Sequence, residues 1–114
     1  MPAIVRMMSF SRQVDQWIMI GSDIRVAPTD IDPAGVRLIA RGRLLGGPQD
    51  GATFDTAFEL IVGQSCHLGP HVCVNVIEVK GECVRLGILA PANVPVFRKE
   101  EVDQLRGGQG SHGQ

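Results

Sequence analysis

Four potential metal ligands fall within eight residues, in the run Cys66-His67-x-x-x-His71-x-Cys73. Zinc needs thiolate sulfur and neutral imidazole converging tetrahedrally. Here the ligands straddle Gly69-Pro70, a turn, and the adjacent Cys66 and His67 point to opposite faces of any strand that carries them. No standard zinc spacing fits, so these residues read as small apolar cysteines and turn-flanking histidines, and no metal is expected. A Cys–His nucleophile pair would also need a third, orienting group, and none is recognisable. Asp23, Asp30 and Asp32 have the spacing of turn residues rather than of an acid/base pair. There is no phosphate-cradling glycine loop. The sequence therefore offers no catalytic residue and no cofactor site, and an enzyme is not expected. On pattern alone, arginines on strands, Arg12 and Arg98 among them, read as solvated surface residues.

The chain that must position them has 114 residues, enough for one domain, and is 44% hydrophobic and 20% charged, an ordinary globular mixture. Eleven basic residues stand against twelve acidic ones, a net charge of −1, so no general electrostatic attraction to nucleic acid exists. Neither half is a charged tail: residues 1–57 carry six basic and six acidic side chains, residues 58–114 five and six. Aromatic residues are 4% of the chain, too few for a broad base-stacking platform. No apolar run approaches a membrane span. The opening Met1-Pro2-Ala3-Ile4-Val5-Arg6 lacks the apolar core and small-residue cleavage site of a signal peptide. Three cysteines without a CxxC argue against a disulfide scaffold and for a reducing, cytoplasmic setting.

The hydrophobic period is two. Val72-Cys73-Val74-Asn75-Val76-Ile77-Glu78-Val79 alternates as a half-buried strand does, Lys80-Gly81 marks a turn, and Cys83–Ile88 returns as a second strand. Ile24–Ala27 and Val36–Ile39 form a similar pair around Asp32-Pro33-Ala34-Gly35, which fits a type I turn. Trp17–Ile20 is a short strand closed by Gly21, with Trp17 read as core. Val94-Pro95-Val96-Phe97 is extended, and Pro95, lacking an N–H, belongs at a sheet edge. Arg98–Leu105 reads as the one helix, with Gly107 as its stop and 107–114 as a disordered tail. Gly46–Gly51 is the one internal stretch with linker composition.

Sliding the chain by 48 residues superimposes it on itself without a gap. Val14 falls on Val62, Gln16 on Gln64, Gly21 on Gly69, Ile24 on Val72, and Val36-Arg37-Leu38 on Val84-Arg85-Leu86. A unit of this size cannot easily bury its own core, but two copies can. The repeat therefore predicts a fused pseudo-dimer.

Ser11-Arg12-Gln13-Val14-Asp15-Gln16-Trp17-Ile18-Met19-Ile20-Gly21 resembles the opening of the carbon storage regulator family (CsrA/RsmA). Val79–Ile88, Ala90-Pro91 and Val94-Pro95-Val96-Phe97-Arg98-Lys99-Glu100-Glu101 resemble that family's later half. The resemblance covers about residues 7–105 and is more specific in the second half. It implies an all-β fold: two CsrA-like five-stranded units, about 7–55 and 56–106, forming a single-chain pseudo-dimer of interlocked antiparallel sheets with one short C-terminal helix. Residues 1–6 then read as an extension, and the chain as a monomer. Family members are homodimers that bind GGA in RNA hairpin loops and alter translation or mRNA stability. Their two sites lie where the first strand of one subunit meets the last strand of the other.

Carried over residue by residue, the resemblance implies one RNA site made of Phe10, Arg12, Ala90, Pro91, Val94, Val96, Phe97 and Arg98, with Phe97 in place of the family's His. The other site is expected to be dead. Its first strand, Thr56–Ile61, has Leu60 at the arginine position and Glu59 nearby. Its last strand, expected around Gly51–Asp55, puts Asp55 where the key arginine belongs, and a carboxylate repels phosphate. The expected partners are an mRNA leader or small RNA hairpins with GGA, and a regulatory protein in the alternative reading, in which the fold is an interaction scaffold that has lost RNA binding. RNA reading requires Arg12 and Arg98 side by side on an exposed face. The scaffold reading expects that face covered or the arginines apart.

Overall fold

The period-two runs fold as strands, and the strands belong to two antiparallel sheets. The computed structural model describes residues 5–110, with side chains as far as Gln104. In chain order the elements are β1 (Val5–Arg12), β2 (Ile18–Ile20), β3 (Ile24–Asp32), β4 (Gly35–Arg43), β5 (Thr53–Leu60), β6 (Ser65–His67), β7 (Cys73–Lys80), β8 (Cys83–Pro91), β9 (Val96–Arg98) and α1 (Lys99–Gly110). One sheet has the order β1-β8-β7-β6 and the other β5-β4-β3-β2-β9. The halves are interlocked: β1 joins the strands of the second half, while β5 and β9 flank those of the first.

The 48-residue repeat in sequence is a repeat in register. Arg12 pairs with Val84 and Leu60 with Val36. Ile18 pairs with Val26 and Cys66 with Val74. Even the bulges recur, at Pro28/Asp30 in β3 and at Val76/Glu78 in β7. The β3–β4 turn is held as its residues suggest, with the Ala34 N–H donating to Asp32 Oδ1 at 2.8 Å.

Each sheet is apolar on one face, and the two apolar faces close on one core. Ile18, Ile20, Val26 and Leu38 share it with their counterparts Cys66, Leu68, Val74 and Leu86. Burying one Leu or Ile contributes about 1.5–3 kcal/mol, and both halves contribute such residues to this one core. Among the described residues no helix is long and apolar enough to cross a membrane.

The repeat breaks at one place. Among the described residues, β9 and α1 have no counterpart in the first half, so one sheet has four strands rather than five. Residues 48–50, which the repeat aligns with β9, lie in the loop between β4 and β5. That loop is pinched shut: Leu44 N–H donates to Ala52 C=O and Gly51 N–H to Leu44 C=O, both at 2.9 Å. Gly46 and Gly47 turn it at φ of 78° and 76°, backbone that side-chain-bearing residues rarely adopt. Thr53-Phe54-Asp55, expected at the end of a last strand of the first unit, instead opens β5. Val5 and Arg6, expected in an extension, pair with Pro91 and Ala90 in β1. The helix runs past Gly107 to Gly110, because glycine weakens a helix without forbidding it. The rest of the expected extension (1–4) and of the expected disordered tail (111–114) lies outside the described residues.

Since each half supplies the other's cover, Leu38→Ala and Leu86→Ala should each cost about 2–5 kcal/mol, in a single urea transition. Two separate transitions would show halves that fold independently. Light scattering should return the mass of one chain, and a dimer mass would contradict the pseudo-dimer.

Candidate nucleic-acid interface

β1 is the edge of one sheet and β9 the edge of the other, and they border a common groove. Met8, Ser9, Phe10 and Ser11 line one wall, and Val96, Phe97, Arg98 and Glu101 the other, around about 550 Å³ of open space. The two ends of the sequence thus meet at one site.

Strand parity decides what each wall presents. In β1, Met8, Phe10 and Arg12 turn toward the interior and Met7, Ser9 and Ser11 toward solvent. Met8 and Phe10 pack against the core. Arg12 is 4% exposed. Its Nε donates to Ser11 C=O at 2.9 Å and its Nη1 to Trp17 C=O at 3.3 Å. Its two Nη groups grip the Glu100 carboxylate in a bidentate pair, at 2.9 and 2.7 Å. That guanidinium, by hydrogen bond first, lowers the Glu100 carboxyl pKa to about 2. Glu100 itself is half-exposed.

On the other wall, Val96 is buried and Phe97 is 42% exposed. Pro95 sits where only a carbonyl is needed: its C=O accepts from Gly21 N–H at 2.7 Å, so its missing donor costs nothing. Arg98 caps the helix. Glu101 Oε1 accepts from the Arg98 backbone N–H at 3.0 Å and from its Nε at 3.1 Å, which resembles a capping box. This contact holds the Glu101 carboxyl below and the Arg98 guanidinium above its ordinary pKa. As an exposed pair it is worth little and is easily exchanged for another anion.

Of the residues expected at the site, Phe10, Val96, Phe97 and Arg98 line the groove. Val94 packs partly buried on the core, beside Gly21. Ala90 is buried, and Pro91 half-buried, on β8 opposite Arg6 and Val5, away from the groove walls. Arg12 and Arg98 do not stand side by side on an exposed face. Arg98 is exposed, whereas Arg12 lies beneath the surface because it shares the inward parity of Met8 and Phe10.

Residue-by-residue transfer did not single out Glu100 and Glu101, nor Ser9 and Ser11. The spacing Arg98-x-x-Glu101 was the legible signal for a cap. Trp17, read as core, is half-buried, with the Arg25 and Arg41 guanidinium carbons 5.3 and 6.0 Å from its ring centroid. In the metal-like run, Cys66 faces the core and His67 solvent, as strand parity requires. Burial, and then neighbouring Cys73, push the Cys66 thiol pKa up to about 11. Among the described residues no group of three or more His, Cys, Asp or Glu converges on a metal position.

At the position 48 residues on, the groove has one wall. Leu60 stands in the place of Arg12 and is buried. Asp55 lies in β5 opposite Arg41, with which it pairs at 3.3 Å. Among the described residues no strand stands in the place of β9.

Residues 61–106 match CsrA, the global regulator protein family. This segment is the part of the chain that is similar to the CsrA family. It contains both β9 and the strands β6–β8 that take up β1. Similar proteins include the translational regulators CsrA of Lachnoclostridium phytofermentans, at 41% identity over 45 residues, 40% of this chain and 62% of that one. Others are those of Nocardioides sp., at 49% over 43 residues (38% and 52%), and Brachyspira hyodysenteriae, at 34% over 44 residues (39% and 54%). The chain thus spans between half and two thirds of the length of these CsrA relatives. No solved structure matches it significantly.

The Arg12–Glu100 pair sets a pH dependence. A carboxyl near 4.5 when unfolded and near 2 when folded contributes stability that is fully present above about pH 4.5 and is lost as pH falls toward 2. Urea midpoints of the parent and Glu100→Gln should therefore differ by a constant amount above about pH 5 and converge toward pH 2. At pH 7, Glu100→Gln should destabilise more than Arg12→Met. The first strands a buried guanidinium, and the second leaves a carboxylate that water can reach.

Proposed function

We propose that the chain is an RNA-binding regulator of translation or mRNA stability, acting in the cytoplasm as a monomer, with one GGA-bearing hairpin loop held in the β1/β9 groove. The observation that carries this reading is that groove, where a first strand and a last strand from opposite ends of the chain form paired walls once and not twice. The similarity of residues 61–106 to the CsrA family and the relatives named translational regulators support it.

The groove suits a splayed loop rather than a duplex. Edge strands offer backbone N–H and C=O groups to base edges, and Ser9 and Ser11 add hydroxyls. Phe97 offers a stacking face. Arg98 exchanges Glu101 for a phosphate. Arg12 is a positioning residue: it ties β1 to α1 and so fixes the spacing of the two walls. No reaction is assigned to the protein. A second reading, an interaction scaffold without RNA binding, is favoured by one observation: Arg12 is withdrawn from the groove and Arg98 is already ion-paired, which leaves little free positive charge.

Titration with a hairpin presenting GGA, against a matched CCA hairpin, decides between them. One RNA per chain with preference for GGA is expected. Phe97→Ala should weaken binding roughly 5- to 100-fold, the range for one lost base stack. Arg98→Ala should flatten the log–log salt dependence by about 0.7, one phosphate contact to a single strand. Equal, weak binding of both hairpins would leave the scaffold reading in place.

A further inference from the structure

The outward edge of β2 is fully used. Trp17 C=O accepts from Lys99 N–H at 2.9 Å, Gly21 N–H donates to Pro95 C=O at 2.7 Å, and Met19 pairs with Phe97 between them. By the 48-residue repeat, the matching groups on the other sheet are the Ser65 C=O, the His67 N–H and C=O, and the Gly69 N–H. The alternation of the β6–β7 ladder agrees. Leu68 N–H donates to Val72 C=O and Val76 N–H to Gln64 C=O, so even-numbered residues face β7 and odd-numbered ones face away. Among the described residues, β7 is the one strand paired with β6, and Ser65 and His67 are exposed. The Leu44–Ala52 loop lies over the far end of this edge, with Leu44 and Leu45 against Gly69, Gly46 against His71 and Gly47 against Pro70, and leaves Ser65 and His67 exposed.

We infer that the β6 edge is a docking site for an extended segment of a partner protein, added antiparallel as β9 is added to β2. The occupied edge states the chemistry of its guest. An apolar side chain belongs at the place of Val96, which points to the core, while the place that Val94 takes against Gly21 is filled against Gly69 by Leu44. A proline is tolerated just before the place of Val96, where a carbonyl alone is used. The guest must differ from β9 at one point. Where α1 brings Glu100 to buried Arg12, this edge brings its guest to buried Leu60, so that residue must be apolar. The guest therefore has the pattern apolar-x-x-x-apolar, a short strand that ends in a helical turn as β9 ends in α1. It is not a second copy of β9, whose acid would be buried against a leucine. The site is separate from the β1/β9 groove, and neither proposal depends on the other.

The probe is a synthetic peptide with the sequence of residues 93–102 carrying Glu100→Leu, titrated against the full chain. It should bind one per chain, about tenfold or more tighter than the unsubstituted peptide, because a carboxylate loses its water against an apolar side chain. Amide exchange should slow at His67 and Gly69 and remain unchanged at Met19 and Gly21. Methylating the peptide nitrogen at the Phe97 position should abolish binding, as should His67→Pro in the protein, which removes an outward donor without touching the β7 ladder. Should His67→Pro fail to fold, the methylated peptide carries the test alone. Absence of binding, protection at Met19 and Gly21, or indifference to methylation would each overturn the inference.

Discussion

Nine residues, 44–52, separate β4 from β5, and the asymmetry of the molecule follows from that length. β1 and β9 run alongside in the same direction, since Arg12 lies against Glu100 while Met8–Ser11 face Val96–Arg98 across the groove. A strand over residues 48–50 would run likewise beside β5, with residue 50 near residue 58. The chain would then have to return to residue 53 to begin β5, five residues back, or roughly 16 Å at strand rise. Residues 51 and 52 allow three Cα steps, about 11 Å at full extension. The first half cannot both lay down a last strand and release β5 to the other sheet. β5 has eight residues of ladder with β4, and the lost strand would have had three, so the longer pairing prevails.

The side chains follow the backbone in this. Arg12 and Leu60 occupy equivalent buried positions at the ends of β1 and β5. A guanidinium out of water is tolerable only with a carboxylate and carbonyls around it, and α1 together with Trp17 supplies them at one end. At the other end no helix follows among the described residues, and the position is leucine. The ion pair is thus less a source of net stability than a register device. It binds the first strand, the entry to the second and the helix at the far end of the chain into one corner, and that corner sets the width of the groove.

Much of this was legible beforehand, for physical reasons. Period-two alternation, the Asp32–Gly35 turn and the 48-residue repeat marked the strands, the hairpins and the doubled unit, while the interlocked pairing was implied by the family resemblance. Pro95 announced an edge. Two features were less accessible. Parity along β1 placed Arg12 on the side of Met8 and Phe10, but an arginine in an apolar row looks like an error until its acid is known, and Glu100 lies 88 residues away. The missing last strand depended on counting the reach of a loop whose composition said linker. Read by alignment alone, the same residues looked like a degraded strand with Asp55 at its key position.

What a nearly neutral groove can recognise is limited by the same corner. With Arg12 committed to Glu100 and Arg98 shared with Glu101, long-range attraction contributes little, and selectivity must come from short-range groups: strand-edge amides, serine hydroxyls and the Phe97 face. Such groups act only if the walls are held at a fixed separation, which is what the buried pair does. The two equivalent edges of the fold therefore divide their roles. The edge of β2 is spent on β9, and this creates a rigid groove. Among the described residues the edge of β6 has no strand beyond it, and its exposed Ser65 and His67 are where the proposed segment from outside would pair.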